Sequence, residues 1–141
     1  MARHPIVCGV DFSTASAHAL RRAAAIARKH GRGLVALFVE DPLLAAAARA
    51  AHDSRGSRAS TAVALERFID RTLGPRQRPR ATAAVAVGVP AEEILKAARL
   101  HHADLVVVGT RGLGRAARLL LGSTAEAVLR RTRVPVLAVP S

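Results

Sequence analysis

Five short apolar runs alternate with helical patterns along the whole chain, and that alternation limits the fold more than any other feature of the sequence. The runs fall at 5–10, 33–39, 81–88, 104–108 and 134–139. Between them the apolar spacing becomes helical. Leu20, Ala23, Ala24 and Ala27 share one face of a helix that opens near Ser13 and stops at His30 and Gly31. Leu65, Phe68 and Ile69 mark a second helix that ends before Gly74 and Pro75, and Ala91, Ile94, Leu95 and Ala98 mark a third that begins at Pro90. A fourth runs over 123–131 with Ala125, Val128 and Leu129 facing inward. Strands joined by crossover helices of this length lie parallel, with right-handed connections and helices on both faces. The Val- and Leu-rich first, fourth and fifth runs agree, because parallel strands are buried on both sides. The expected class is therefore α/β, with one open five-stranded parallel sheet in a single domain over residues 1–141. The Ala- and Arg-rich stretch 43–80 carries the weakest pattern, and reads as a polar break at Asp41 and Pro42 followed by a loop at 53–57.

With 141 residues the chain can bury a core without disulfides or a structural metal. The lone Cys8, set among Ile6, Val7 and Val10, reads as a small core residue and fits a reducing cytoplasm. No apolar stretch approaches the length of a membrane span, and no secretory leader is expected. The formal charge is +12, from 22 Lys and Arg against 10 Asp and Glu, and only Lys29 and Lys96 are lysines. Such basicity favours nonspecific attraction to polyanions at low salt. Specific nucleic-acid recognition is not expected, since Phe12, Phe38 and Phe68 are the only aromatic residues and no helix-turn-helix, zinc or RNP-type motif occurs. The six histidines lack a metal-ligand spacing, and no nucleophile elbow or poised carboxylate pair is visible. Neither a catalytic residue nor a metal-ligating side chain is assigned.

Ligands of open parallel sheets bind beyond the carboxyl ends of the strands, where the strand order reverses. Asp11 follows the first strand, Val39 closes the second and Gly109 follows the fourth. Gly109, Gly112 and Gly122 then lead into Ser123 with gaps of two and nine residues. A strand, a glycine-bearing loop and a helix start together cradle phosphate, because unpaired N–H groups and the helix dipole point at one place. Gly109 is expected to let the chain turn sharply off the strand, Gly112 to allow close backbone approach, and Gly122 to bring an anion against the helix start. Ser123 and Thr124 can add hydroxyl hydrogen bonds, and Arg111 and Arg115 are further candidates for screening phosphate charge. Plainer accounts stand beside these. Ser123 and Glu126 also form a capping box, in which Ser123 satisfies the helix's own donors, and Asp11 to Ser13 is also an ordinary helix start capped by Ser13.

Taken jointly, these residues resemble the universal stress protein family in its small, ATP-binding form. Its signature of Gly, two residues, Gly, nine residues, Gly and then Ser or Thr is filled by Gly109, Gly112, Gly122 and Ser123. The likeness extends to Val10, Asp11 and Ser13, to Val39 and Pro42, to Gly88, Pro90 and Glu92, and to the closing run that Val134 opens and Val139 ends. It implies a sheet in the order 3-2-1-4-5. It also implies that Asp11 contacts adenine or ribose, that Val39 and Val108 line the adenine pocket, and that Gly109, Gly112, Gly122, Ser123 and Thr124 hold ribose and phosphates. ATP, or ADP or AMP, is the implied ligand, with Mg held mainly by the phosphates. A homodimer through 134–139 is implied as well, and an apolar edge strand is a hazard if left bare. The implied output is regulatory, through nucleotide-dependent conformation or a regulatory protein partner. The alternatives are a slow ATP hydrolase or nucleotidyl or phosphoryl transferase, and a ligand-independent interaction module.

Overall fold

The computed structural model describes residues 4–51, 57–111 and 121–140. Its strands are β1 (Ile6–Val10), β2 (Leu34–Glu40), β3 (Ala81–Val87), β4 (Val106–Gly109) and β5 (Val136–Val139). They form one parallel sheet in the order β3-β2-β1-β4-β5, as the family resemblance implied. The chain winds from β1 outward to β3, then returns to the other side of β1 at β4. The switch point therefore lies between β1 and β4, where Cys8 is paired with Val107 on one side and Ala36 on the other.

Alternation along each strand sorts the two cores. Ile6, Cys8, Leu34, Ala36 and Val107 face helices α1 (Thr14–His30) and α3 (Ser57–Thr72), packing with Leu20, Ala24, Leu65 and Ile69. Val7, Val35, Leu37, Val106 and Val108 face α4 (Pro90–Leu100) and α5 (Ser123–Arg131), packing with Ile94, Ala98 and Val128. Each fully buried Leu or Ile contributes about 1.5–3 kcal/mol by leaving water. Burial pushes the Cys8 thiol well above its ordinary range, so it is an inert core group and not a nucleophile.

Helix ends follow their sequence signals. Ser13 caps α1 by accepting the Ser16 N–H, and Gly31 ends it in the left-handed region at φ 63° while the Arg32 N–H returns to the Ala27 carbonyl at 2.8 Å. Two expectations differ from the structure. The break at Asp41 and Pro42 is the start of a further helix, α2 (Pro42–Ala50), in which the Asp41 carboxylate accepts the Leu43 N–H at 2.8 Å. An Asp-Pro pair signals a helix start as readily as a break, and the following alanines carry high helix propensity without any apolar stripe to announce it. The second difference concerns Leu129, expected inward but 40% exposed beside buried Ala125 and Val128. The nine-residue α5 lies at the β5 end of the sheet, so only a narrow stripe of it meets the core.

Candidate functional site

Beyond the carboxyl end of β1, the turn into α1 is held by a small polar network. The Asp11 Oδ1 accepts the Ser13 N–H at 3.0 Å and also the Ser13 hydroxyl, while the Asp11 N–H donates to Ser16 Oγ at 3.2 Å. Phe12 between them sits at φ 65°, a conformation that costs a non-glycine residue free energy. Its ring offsets that strain by packing against Phe38 at 4.7 Å and edge-on against Phe68 at 5.4 Å. Asp11 is thus both part of the helix start and a fixed carboxylate, with its second oxygen unpartnered among the described residues.

At the end of β4, Gly109 has a different reason from the sharp turn expected of it. A Cβ there would lie 2.9 Å from the Ala15 carbonyl carbon and 3.0 Å from its oxygen, so glycine is what lets the first turn of α1 press against the strand. The Thr110 N–H bonds to the Val139 carbonyl at 3.0 Å, and the Gly122 N–H to the Thr110 carbonyl at 2.6 Å. Those two bonds tie the start of α5 to the ends of β4 and β5.

The capping box at Ser123 does not form. Gly122 occupies the cap position in extended conformation, Ser123 is the first helical residue, and no side chain caps the helix. Glu126 pairs instead with Arg130 at 2.8 Å. A hydroxyl one position inside the helix cannot take the cap's place. The N–H groups of Ser123, Thr124 and Ala125 therefore find no acceptor among the described residues. They carry the positive end of the α5 dipole to the carboxyl end of the sheet.

Asp11, Val39, Val108, Gly109, Arg111, Gly122, Ser123 and Thr124 border one cleft at the switch point. Gly112 and Arg115 lie outside the described residues. The cleft has about 720 Å3 of empty space, its open mouth included. Its apolar wall includes residues that sequence reasoning left in the core or at a helix start, namely Leu37, Pro90 and Ile94. Gly9 also belongs here. A Cβ on it would come within 2.7 Å of Ile94 Cδ1, so glycine lets α4 close over the strand end. The signal for this wall existed only in three dimensions, since the strand order is what brings Ile94 across β1. The cleft thus joins an apolar slot, a fixed carboxylate and backbone donors that find no acceptor among the described residues, which suits a ligand with a flat apolar end, hydroxyl groups and an anionic end. Among the described residues no group of three or more His, Cys, Asp or Glu could hold a metal ion.

The sequence model of the universal stress protein family matches residues 2–140. The chain belongs to the universal stress protein family. A universal stress protein of Thermus aquaticus is 49% identical over 61 residues, covering 43% of this chain and 44% of that relative. The matched part is thus less than half of that relative's length. Similarity to solved structures runs end to end. Universal stress protein UspA from Lactobacillus plantarum is 26% identical with a TM-score of 0.73, covering 99% of both chains. A universal stress protein in complex with cAMP is 28% identical with a TM-score of 0.72, covering 99% of this chain and 98% of that one. No helix among the described residues of this family member is long and apolar enough to cross a membrane.

Proposed function

We propose that the cleft binds an adenine nucleotide, ATP foremost, and that the protein acts in the cytoplasm as a stress-response regulator through the conformation or partners that binding favours. The observation that carries this reading is the start of α5, where the Ser123, Thr124 and Ala125 donors, without an acceptor among the described residues, lie at the same cleft as the Asp11 carboxylate. In the complex, Val39 and Val108 border the adenine, with Leu37 and Ile94 behind them, and Asp11 accepts from ribose hydroxyls or the adenine amino group. Gly109, Gly122, Ser123 and Thr124 receive ribose and phosphates, and Arg111 screens their charge. A relative's complex with cAMP supports the adenine nucleotide class. Mg, where present, would sit on phosphate oxygens and neutralise part of their charge, because among the described residues no cluster of metal-ligating side chains lines the cleft.

Binding and not turnover is the proposed activity. Asp11 has one oxygen committed to the Ser13 turn, which suits a positioning acceptor better than a base that activates water. The bound state biases a conformational equilibrium by its differential affinity. A homodimer through the β5 edge completes the proposal, because β5 is the edge strand of the sheet among the described residues. Mass spectrometry of ligand released from the purified, denatured protein is the test, followed by calorimetric titration of the stripped protein with ATP and cAMP. An adenine nucleotide in stoichiometric amount, or saturable heat with either ligand, is expected. A folded protein that releases none and gives no heat with either would sink the reading.

A further inference from the structure

The solvent face of α1 carries a charge pattern that the nucleotide reading leaves unused. His18, Arg21, Arg22, Ala25, Arg28 and Lys29 are all exposed. At 3.6 residues per turn they fall within an arc of about 120° along the helix. The opposite face, with Ala19, Leu20, Ala23, Ala24 and Ala27, is buried against the sheet. No Asp or Glu occurs in α1, whereas α3, α4 and α5 each carry at least one. Arg21, Arg22, Arg28 and Lys29 take part in no ion pair among the described residues. The helix dipole accounts for Arg28 and Lys29 in the last turn, but its effect falls off within that turn and gives Arg21 and Arg22 nothing. On α3, which packs beside α1, Glu66 and Asp70 both pair with Arg78 while Arg67 and Arg71 stay exposed.

We infer that this face of α1 docks on duplex DNA through its phosphates, without reading base sequence. Cations fixed along one rigid helix repel one another in the free protein, and phosphates relieve that repulsion while shedding their own counterions. The spacing suits a duplex. Arg21 and Arg28 stand two helical turns apart, as do Arg22 and Lys29, which is about 10.5 Å of rise. The major groove of B-DNA is roughly 12 Å wide, so α1 laid across it sets one cation pair at each row of phosphates. Guanidinium groups add bidentate hydrogen bonds to phosphate oxygens. A single strand fits less well, because its bases need stacking platforms, and Phe12, Phe38 and Phe68, the chain's only Phe, Tyr or Trp residues, pack on one another. An anionic membrane fits less well too. Helices that lie on membranes set large apolar side chains beside their cations, and this face offers only Ala25.

The test is fluorescence anisotropy of the full chain on a labelled DNA duplex of mixed sequence, followed from about 50 to 200 mM potassium chloride. Saturable binding is expected, with log K falling linearly against log salt. Arg21→Gln, Arg22→Gln, Arg28→Gln and Lys29→Gln combined should weaken it by at least about tenfold and flatten that slope by about 3.6, at roughly 0.9 per lost phosphate contact. The control is Lys96→Gln with Arg99→Gln, two exposed cations of α4 on the other side of the sheet, which should leave the slope unchanged. No saturable binding to the duplex overturns the inference. So does a control whose loss per charge equals that of the α1 variant, since net charge alone would then attract the DNA. A single strand of the same length, or vesicles of phosphatidylserine, bound more tightly than the duplex at equal salt overturns it as well. Gln keeps helix propensity and the buried stripe is untouched, so the α1 variant should fold. Should it not, Arg21→Gln with Arg28→Gln is expected to flatten the slope by about 1.8, and an unchanged slope there overturns the inference.

Discussion

Val39 and Glu40 are adjacent at the end of β2, yet they border pockets of opposite kinds. On the α4 and α5 side, the cleft is built from backbone. Its donors are the first N–H groups of α5, its close approaches depend on Gly9 and Gly109, and its one charged acceptor, Asp11, is fixed by the turn it helps to make. On the α1 and α3 side, the buried polar group of the second pocket is a side chain, the Glu40 carboxylate, with one oxygen unanswered among the described residues. Backbone donors are available whatever residue supplies them, so the cleft tolerates side-chain change except where a Cβ would intrude. The second pocket has no such tolerance, because its buried polar group is lost with one side chain. Substitutions should therefore act through shape in the first region and through charge in the second.

The largest effect is expected where shape blocks the anion. Gly122→Val keeps an allowed backbone at φ −64° but sets a branched side chain at the start of α5. Titrated thermal unfolding should show loss of the whole nucleotide-induced stabilisation, about 2.7 kcal/mol at a hundredfold excess over Kd, while the unliganded protein still melts cooperatively. Next comes Gly109→Ala, which forces a methyl against the Ala15 backbone. Urea unfolding should report a loss of about 1–3 kcal/mol, the usual cost of overpacking, and an unchanged midpoint would show that α1 does not press on β4 as described. Ser13→Ala removes the α1 cap together with a partner of Asp11, and should cost about 1 kcal/mol of stability along with nucleotide affinity. Affinity that survives in this variant would separate Asp11 from the site. Smallest of all, Ser123→Ala should leave unliganded stability within about 0.5 kcal/mol, because Ser123 does not cap α5. A fall in stability of cap size would restore the capping-box reading and break the contrast between the two regions.

What the sequence made legible divides along the same line. The parallel sheet, its helices and the Asp11, Val39 and Gly109 strand ends could be read because apolar period and glycine spacing are local signals. The strand order rested on family resemblance, and the structure bears it out. Ser123 was ambiguous, since the same Ser-x-x-Glu spacing serves a cap or a ligand, and the placement of Gly122 at the cap position removes the cap reading. The Ile94 wall and the Glu40 pocket were invisible for another reason. Both arise where elements distant in sequence meet, Ile94 over Gly9 and Thr61 against Glu40. The α2 start at Asp41 was hidden because a run of alanines has propensity but no period.

The most direct measurement is the thermal unfolding midpoint of nucleotide-stripped protein with and without saturating ATP, ADP, AMP or cAMP, set beside Gly122→Val. A nucleotide cleft at the start of α5 predicts a clear rise for the wild type with at least one of these ligands and none for the variant. A well-folded wild type whose midpoint moves with none of the four, or a variant that rises as far as the wild type, would contradict it.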